Sequence, residues 1–190
     1  MRKLILLTAL FFTLCAEAQD TLLYRNAVSI GIGARVRMSD DYPGYYDIEN
    51  NLCEEYPKYS PIFNVGYRYM INRHWGVGTT ASLFYSSRKK KYIDSGETAD
   101  KKSETLLAMM FTARYYWRTK NWVRVYSSVG AGFCYEWDKR YMRTDYRTHL
   151  RSSWQVSPLG IEVGKGHLIG FCELGLGWAG WLQGGIGYRF

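Results

Sequence analysis

Five charged residues stand out because alternation points them to one side, inward: Arg68, Arg114, Arg124, Glu162 and Glu173. Each occupies the polar side of a segment whose other side is apolar. A charge that cannot reach bulk water costs several kcal/mol unless it is paired. Three guanidinium groups and two carboxylates aimed into one interior therefore read as an ion-pair cluster, either a structural plug or the gate of a narrow ion path. His149, followed by Ser152 and Ser153, supplies the ingredients of a hydrolase dyad. Gly175-Leu176-Gly177-Trp178-Ala179-Gly180 satisfies G-x-G-x-x-G, but no helical pattern follows it, so the phosphate-cradling mechanism lacks its helix N-terminus. His74, His149 and His167 share no metal-ligand spacing. No metal and no cofactor is expected. Cys53, Cys134 and Cys172 include no C-x-x-C pair; Cys53 and Cys134 are candidates for one disulfide, with Cys172 left free.

The segments that carry these residues alternate with period two rather than 3.6. Val28, Ile30, Ile32, Ala34 and Val36 share one face, with Ser29, Gly31, Gly33, Arg35 and Arg37 on the other. The pattern recurs from Phe63, from Trp75, from Leu107 and from Val123, then over residues 153–163, 168–178 and 181–190. That makes eight strands, several of them long for a soluble protein. The polar face is rich in glycine and arginine and poor in lysine. A water-facing strand surface favours other residues, and glycine weakens strands. A narrow closed barrel explains the pattern: small groups and paired charges fill the inside, and the apolar face meets lipid.

Connections alternate in length. Residues 71–74, 118–121 and 164–167 read as tight turns, while 39–58, 86–103 and 138–152 read as long polar loops. This is the alternation a barrel in an outer membrane requires, with turns at the periplasmic rim and loops outside. The first loop is acidic, and the second and third are basic. The tryptophans give an independent test: Trp75, Trp117 and Trp122 flank the short-turn rim, and Trp137, Trp154, Trp178 and Trp181 flank the long-loop rim. Two aromatic girdles at the headgroup levels are expected. With the Tyr and Phe residues that alternate on the apolar face, they account for an aromatic share of 17% in a chain whose mean hydropathy is only −0.30.

Residues 1–18 have the order of a secretory signal peptide: Arg2 and Lys3, then the apolar run from Leu4 to Cys15, then Ala16-Glu17-Ala18 as the cleavage site. Residues 19–190 then form the barrel domain. Losing Arg2, Lys3 and Glu17 lowers the net charge from +8 to +7. Nucleic acid is a poor partner for that charge, because the basic loops face the outside.

The chain ends Gln183-Gly184-Gly185-Ile186-Gly187-Tyr188-Arg189-Phe190. Gln183, Gly185, Tyr188 and Phe190 resemble the polar-x-Gly-x-x-apolar-x-aromatic assembly signal of bacterial outer-membrane barrels. With the eight alternating strands, the sequence resembles the small eight-stranded outer-membrane barrels of the OmpA/OmpX type. The resemblance implies an all-β fold, an eight-stranded antiparallel up-and-down transmembrane β-barrel in the cell outer membrane. It also implies recognition by the barrel-assembly machinery during insertion; the basic residues next to the girdle point to contact with outer-membrane lipids and lipopolysaccharide phosphates, and a monomer is expected. The expected function is non-enzymatic: presentation of extracellular loops for surface interaction or envelope integrity. The alternatives are a lipid A-modifying enzyme, built on His149 with Ser152 or Ser153, and a narrow channel.

Overall fold

Strict alternation obliges each strand to keep one side away from the other, and the sheet satisfies this by closing on itself. The computed structural model describes residues 24–34, 46–47, 51–54, 58–94, 96, 98–119, 122–140 and 146–190. The signal-peptide reading and most of the first loop lie outside them. The strands are β1 (Asn26–Ala34), β2 (Tyr46–Asp47), β3 (Leu52–Glu54), β4 (Lys58–Tyr59), β5 (Ile62–Met70), β6 (Trp75–Tyr92), β7 (Thr98–Thr119), β8 (Val123–Arg140), β9 (Tyr146–Val163), β10 (Leu168–Gly177) and β11 (Leu182–Arg189).

Eight of them form a ring. β1 pairs with both β5 and β11, and antiparallel pairing continues through β10, β9, β8, β7 and β6 back to β5. The short β2 and β3 extend from the outer part of β6, which also pairs with β4.

The ring is inside-out relative to a soluble protein. Phe111 is 75% exposed and Met109 63%, whereas Glu162 and Ser157 are fully buried. Six of the seven tryptophans meet the outer surface, five of them near strand ends and Trp154 in the middle of β9, next to the level at which β10 stops. Trp75 packs edge-on against Tyr115, and Tyr115 against Trp117, each at 5.0 Å between ring centroids; Trp122, Trp137, Trp154 and Trp181 are exposed. The girdle assignment fails for Trp178, which packs inward against the buried cluster of Ile62, Phe84, Leu106, Ala108 and Cys134. It follows Gly177, at φ 134°, in the β10–β11 hairpin, where the chain has left the ladder and alternation no longer dictates the side.

Two further expectations need correction. The polar segments 86–103 and 138–152 are mostly strand, since β6 continues to Tyr92, β7 begins at Thr98, β8 continues to Arg140 and β9 begins at Tyr146. Their side chains are polar because both faces of this part of the sheet meet water, so hydropathy signals a loop where backbone pairing continues. The inside is also not uniformly polar, because the Ile62–Cys134 cluster fills its outer end.

Pro158 sits where a closed sheet tolerates it. The β8–β9 register slips between Tyr126, opposite Gly160, and Ser128, opposite Ser157, leaving Pro158 and Leu159 as a bulge. The bulge shifts the parity of β9. Trp154 and Ile161 therefore both face outward while Ser157 and Glu162 face in.

Candidate functional site

The interior is stratified. At the outer end lies the apolar cluster of Ile62, Phe84, Leu106, Ala108 and Cys134, flanked by Tyr59 and Trp178. Below it the amide of Asn64 donates to the Ala179 carbonyl at 3.1 Å and to Gln183 Oε1 at 3.2 Å. Gln155 donates to the Gly180 carbonyl at 3.0 Å and accepts from the Ala179 amide at 2.9 Å. These amides tie the lumen to the inside of the last hairpin.

The charged layer comes next. Alternation in β5, β7, β9 and β10 brings Arg68, Arg114, Glu162 and Glu173 to one level, and the bulge at Pro158 sets the phase for Glu162. Arg68 forms an ion pair with Glu162. Arg114 bridges the carboxylates, with Nη1 3.2 Å from Glu162 and Nη2 2.7 Å from Glu173. Tyr116 donates to Glu162 at 3.1 Å and Tyr126 to Glu173 at 2.6 Å. The guanidinium of Arg114 stacks 4.7 Å from the centre of the Tyr126 ring. Glu173 also accepts from Gln183 at 2.8 Å. Arg124 stands opposite Glu162 in the β8–β9 register, but the Glu162 oxygens are taken by other partners.

One of those partners is Arg189, whose Nη2 lies 3.2 Å from Glu162. Sequence reasoning placed Arg189 only within the C-terminal motif. Its parity with Gln183 and Gly185 was the available signal for an inward side chain. Tyr116 and Tyr126 carried the same signal, sharing parity with Arg114 and with Arg124 and Ser128; what only the structure shows is which carboxylates they meet.

The other candidates do not assemble. His149 and Ser152 differ in parity and lie about 10 Å apart along β9, and Ser153 is one residue further. Ser153 instead donates to the Met109 carbonyl at 3.4 Å. Cys53, Cys134 and Cys172 are free. Cys53 is level with Lys91 of β6, while Cys134 is level with Ala108 and so with Ser82, about 30 Å lower along the same strand. That offset excludes the Cys53–Cys134 disulfide.

Above the ring, β6 to β9 continue as a four-stranded sheet. Glu104, Glu136 and Asp138 bring carboxylate oxygens within 4.8 Å of one another. Cations already meet this group: Lys102 Nζ lies 2.5 Å from Glu104 and 3.4 Å from Asp138, and Arg151 lies 3.4 Å from Glu136. Burial alone would raise the Glu104 carboxyl, but the Lys102 ammonium and Arg88 outweigh it, and the net shift is downward. Burial would lower Lys102, and Glu104 and Asp138 reverse that to a net upward shift. Above this group β3 runs beside β6, with Cys53 and Glu54 in register with Lys91 and Lys90.

Comparison with known proteins agrees with this architecture. Residues 6–164 match the family model for the outer membrane protein beta-barrel domain. None of the curated proteins matches the chain. Among solved structures it is similar to Ail, the attachment invasion locus protein of Yersinia pestis, in complex with the heparin analogue sucrose octasulfate, at 15% identity and a TM-score of 0.48, covering 87% of this chain and 99% of that one. It is also similar to the outer membrane protein OprG of Pseudomonas aeruginosa, at 14% identity and a TM-score of 0.43, covering 88% and 96%.

Proposed function

Since the chain belongs to the outer-membrane β-barrel domain family and lies in the cell outer membrane, we propose that it acts without catalysis, presenting its protruding sheet to partners outside the cell. The observation that carries this reading is the asymmetry of that sheet. Its β6 edge is covered, since β4 pairs with Ser86 and Ser87 and β3 with Lys90 to Tyr92. Its β9 edge is open: β10 stops at Gly177, opposite Gln155, and residues 146–154 have no second strand among the described residues. An open edge offers a row of backbone donors and acceptors to an added strand. His149 and Arg151 lie along it, which favours an extended acidic segment.

The rest of the reading follows from the ring. β1 and β11 close it without a free edge, which supports a monomer. Lys89, Lys101 and Lys139 fall on the outward face above Trp137, where lipopolysaccharide phosphates would meet them. Gln183, Gly185, Tyr188 and Phe190 serve as the signal read by the barrel-assembly machinery. The separation of His149 from the serines supports a binding role over lipid A modification.

Cells displaying the full chain are compared with cells whose β6–β7 and β8–β9 extensions are replaced by short turns. The measurement is adhesion to surfaces coated with extended acidic peptides. The trimmed protein is expected to keep its heat-dependent gel shift and lose adhesion. Equal adhesion by both would overturn the reading, and altered lipid A from cells bearing the full chain would favour the enzyme.

A further inference from the structure

The charged layer holds more positive than negative charge. Arg68, Arg114 and Arg189 face two carboxylates, Glu162 and Glu173, and the half-buried Arg124 adds a fourth guanidinium. The carboxylates are saturated. Glu162 is met by three arginines and Tyr116; Glu173 by Arg114, Tyr126, Ser128 and Gln183. The Nε–H groups of Arg68 and Arg189 are nevertheless buried without an acceptor. Leaving a buried donor without an acceptor costs its desolvation, the more so on a charged group.

Beside this layer lie two small cavities, of about 20 and 30 Å³, which share Ser29, Gly66, Thr80, Thr112, Arg114 and Phe171 in their walls, while Arg189 lines neither. Arg68 and Glu162 border the first, Glu173 the second. Such volumes hold a water or an ion of similar size, and they exclude sugars and organic phosphates. Hydroxyl groups and guanidinium edges are donors, which suits an anion. The bordering carboxylates are each already neutralised by arginine.

We propose that the lumen carries a resident halide-sized monovalent anion, bounded by Arg68, Arg114 and the hydroxyls of Ser29, Thr80 and Thr112. It is the counterion that the side chains themselves do not supply, and it is taken up as the barrel folds.

The test refolds the full chain into detergent micelles in sodium bromide, sodium chloride or sodium gluconate at equal ionic strength. Thermal unfolding is followed by the heat-dependent gel shift. Stabilisation by a species bound to the folded state alone predicts a midpoint several degrees higher in either halide than in gluconate. Crystals grown from the bromide sample should show anomalous density in the first cavity, beside Ser29, Thr80 and Thr112. Thr112→Asp places a fixed carboxylate in the cavity wall and should abolish the halide dependence, whereas Thr112→Asn should retain it. Coincident transitions in all three salts, or bromide density confined to the outer surface, would overturn the proposal. Both arms decide the matter even where Thr112→Asp does not fold.

Discussion

Glu162 is the residue on which the lower lumen converges. It is fully buried, and side chains from β5, β7 and β11 reach it across the barrel. Removing its charge leaves three guanidinium groups with one carboxylate, a buried pair broken rather than exchanged for packing. Glu162→Gln is therefore expected to lower stability by about 3–5 kcal/mol, read as a drop in the urea midpoint of the heat-shifted band. Ser128→Ala is the contrast. Its hydroxyl donates to Glu173 at 3.4 Å, and losing so long a bond should cost about 1 kcal/mol or less. Equal effects would mean that the carboxylate is not the hub.

At the scale of the elements, closure depends on how closely β1 and β11 approach. A Cβ on Gly185 would stand 2.1 Å from the Ile30 carbonyl oxygen and 2.6 Å from Gly31 Cα, both backbone atoms that cannot swing away. Gly185→Val is expected to yield chain that remains in the unfolded gel band. Gly166, in the β9–β10 turn, tests a different physics: its φ is 67° and a Cβ there would meet nothing within 4 Å. Gly166→Ala should cost only the left-handed strain, about 1 kcal/mol. The protruding sheet has its own dependence on pH. Glu104 is lowered when folded, so its contribution is complete above its ordinary value of 4.5 and disappears as pH falls through the lower folded value. Lys102 is raised, so its contribution is complete below 10.5 and disappears as pH climbs through the higher folded value. Amide protection factors over residues 98–106 should hold between these limits and fall outside them, while those of the ring stay unchanged.

For the whole molecule, the stratified lumen argues against conduction. Among the described residues, an apolar cluster stands across the outer end and a cross-linked charged layer near the other, and the cavities beside the charged layer are of about 20 and 30 Å³. Planar bilayers containing the purified chain are expected to show no steps above baseline; regular ohmic steps would restore the channel. Closure also makes the barrel and its sheet separable in stability. Trimming β6–β9 above the ring removes no contact of the charged layer, so the heat-dependent gel shift should survive it.

Much of the barrel was legible because its physics is local. Alternation fixes which side chains share a face, so Arg68, Arg114 and Glu173 could be aimed inward before any partner was known. The same alternation put Trp117 and Trp137 on the outer surface at the strand ends, and Trp154 on the outer surface in a strand that runs on past it. Alternation cannot say which side chains face one another across the lumen, nor what happens where it breaks. Arg189 joined the cluster because β11 closes against β1. Trp178 turned inward because a glycine hairpin released it from the ladder. The strands that outrun the ring were hidden because water on both faces erases the apolar signal that marks a strand. The sequence by itself determined the period of each strand and the side each residue takes; only the closed ring decided the register, and with it who meets whom, because closure is a property of all eight strands at once.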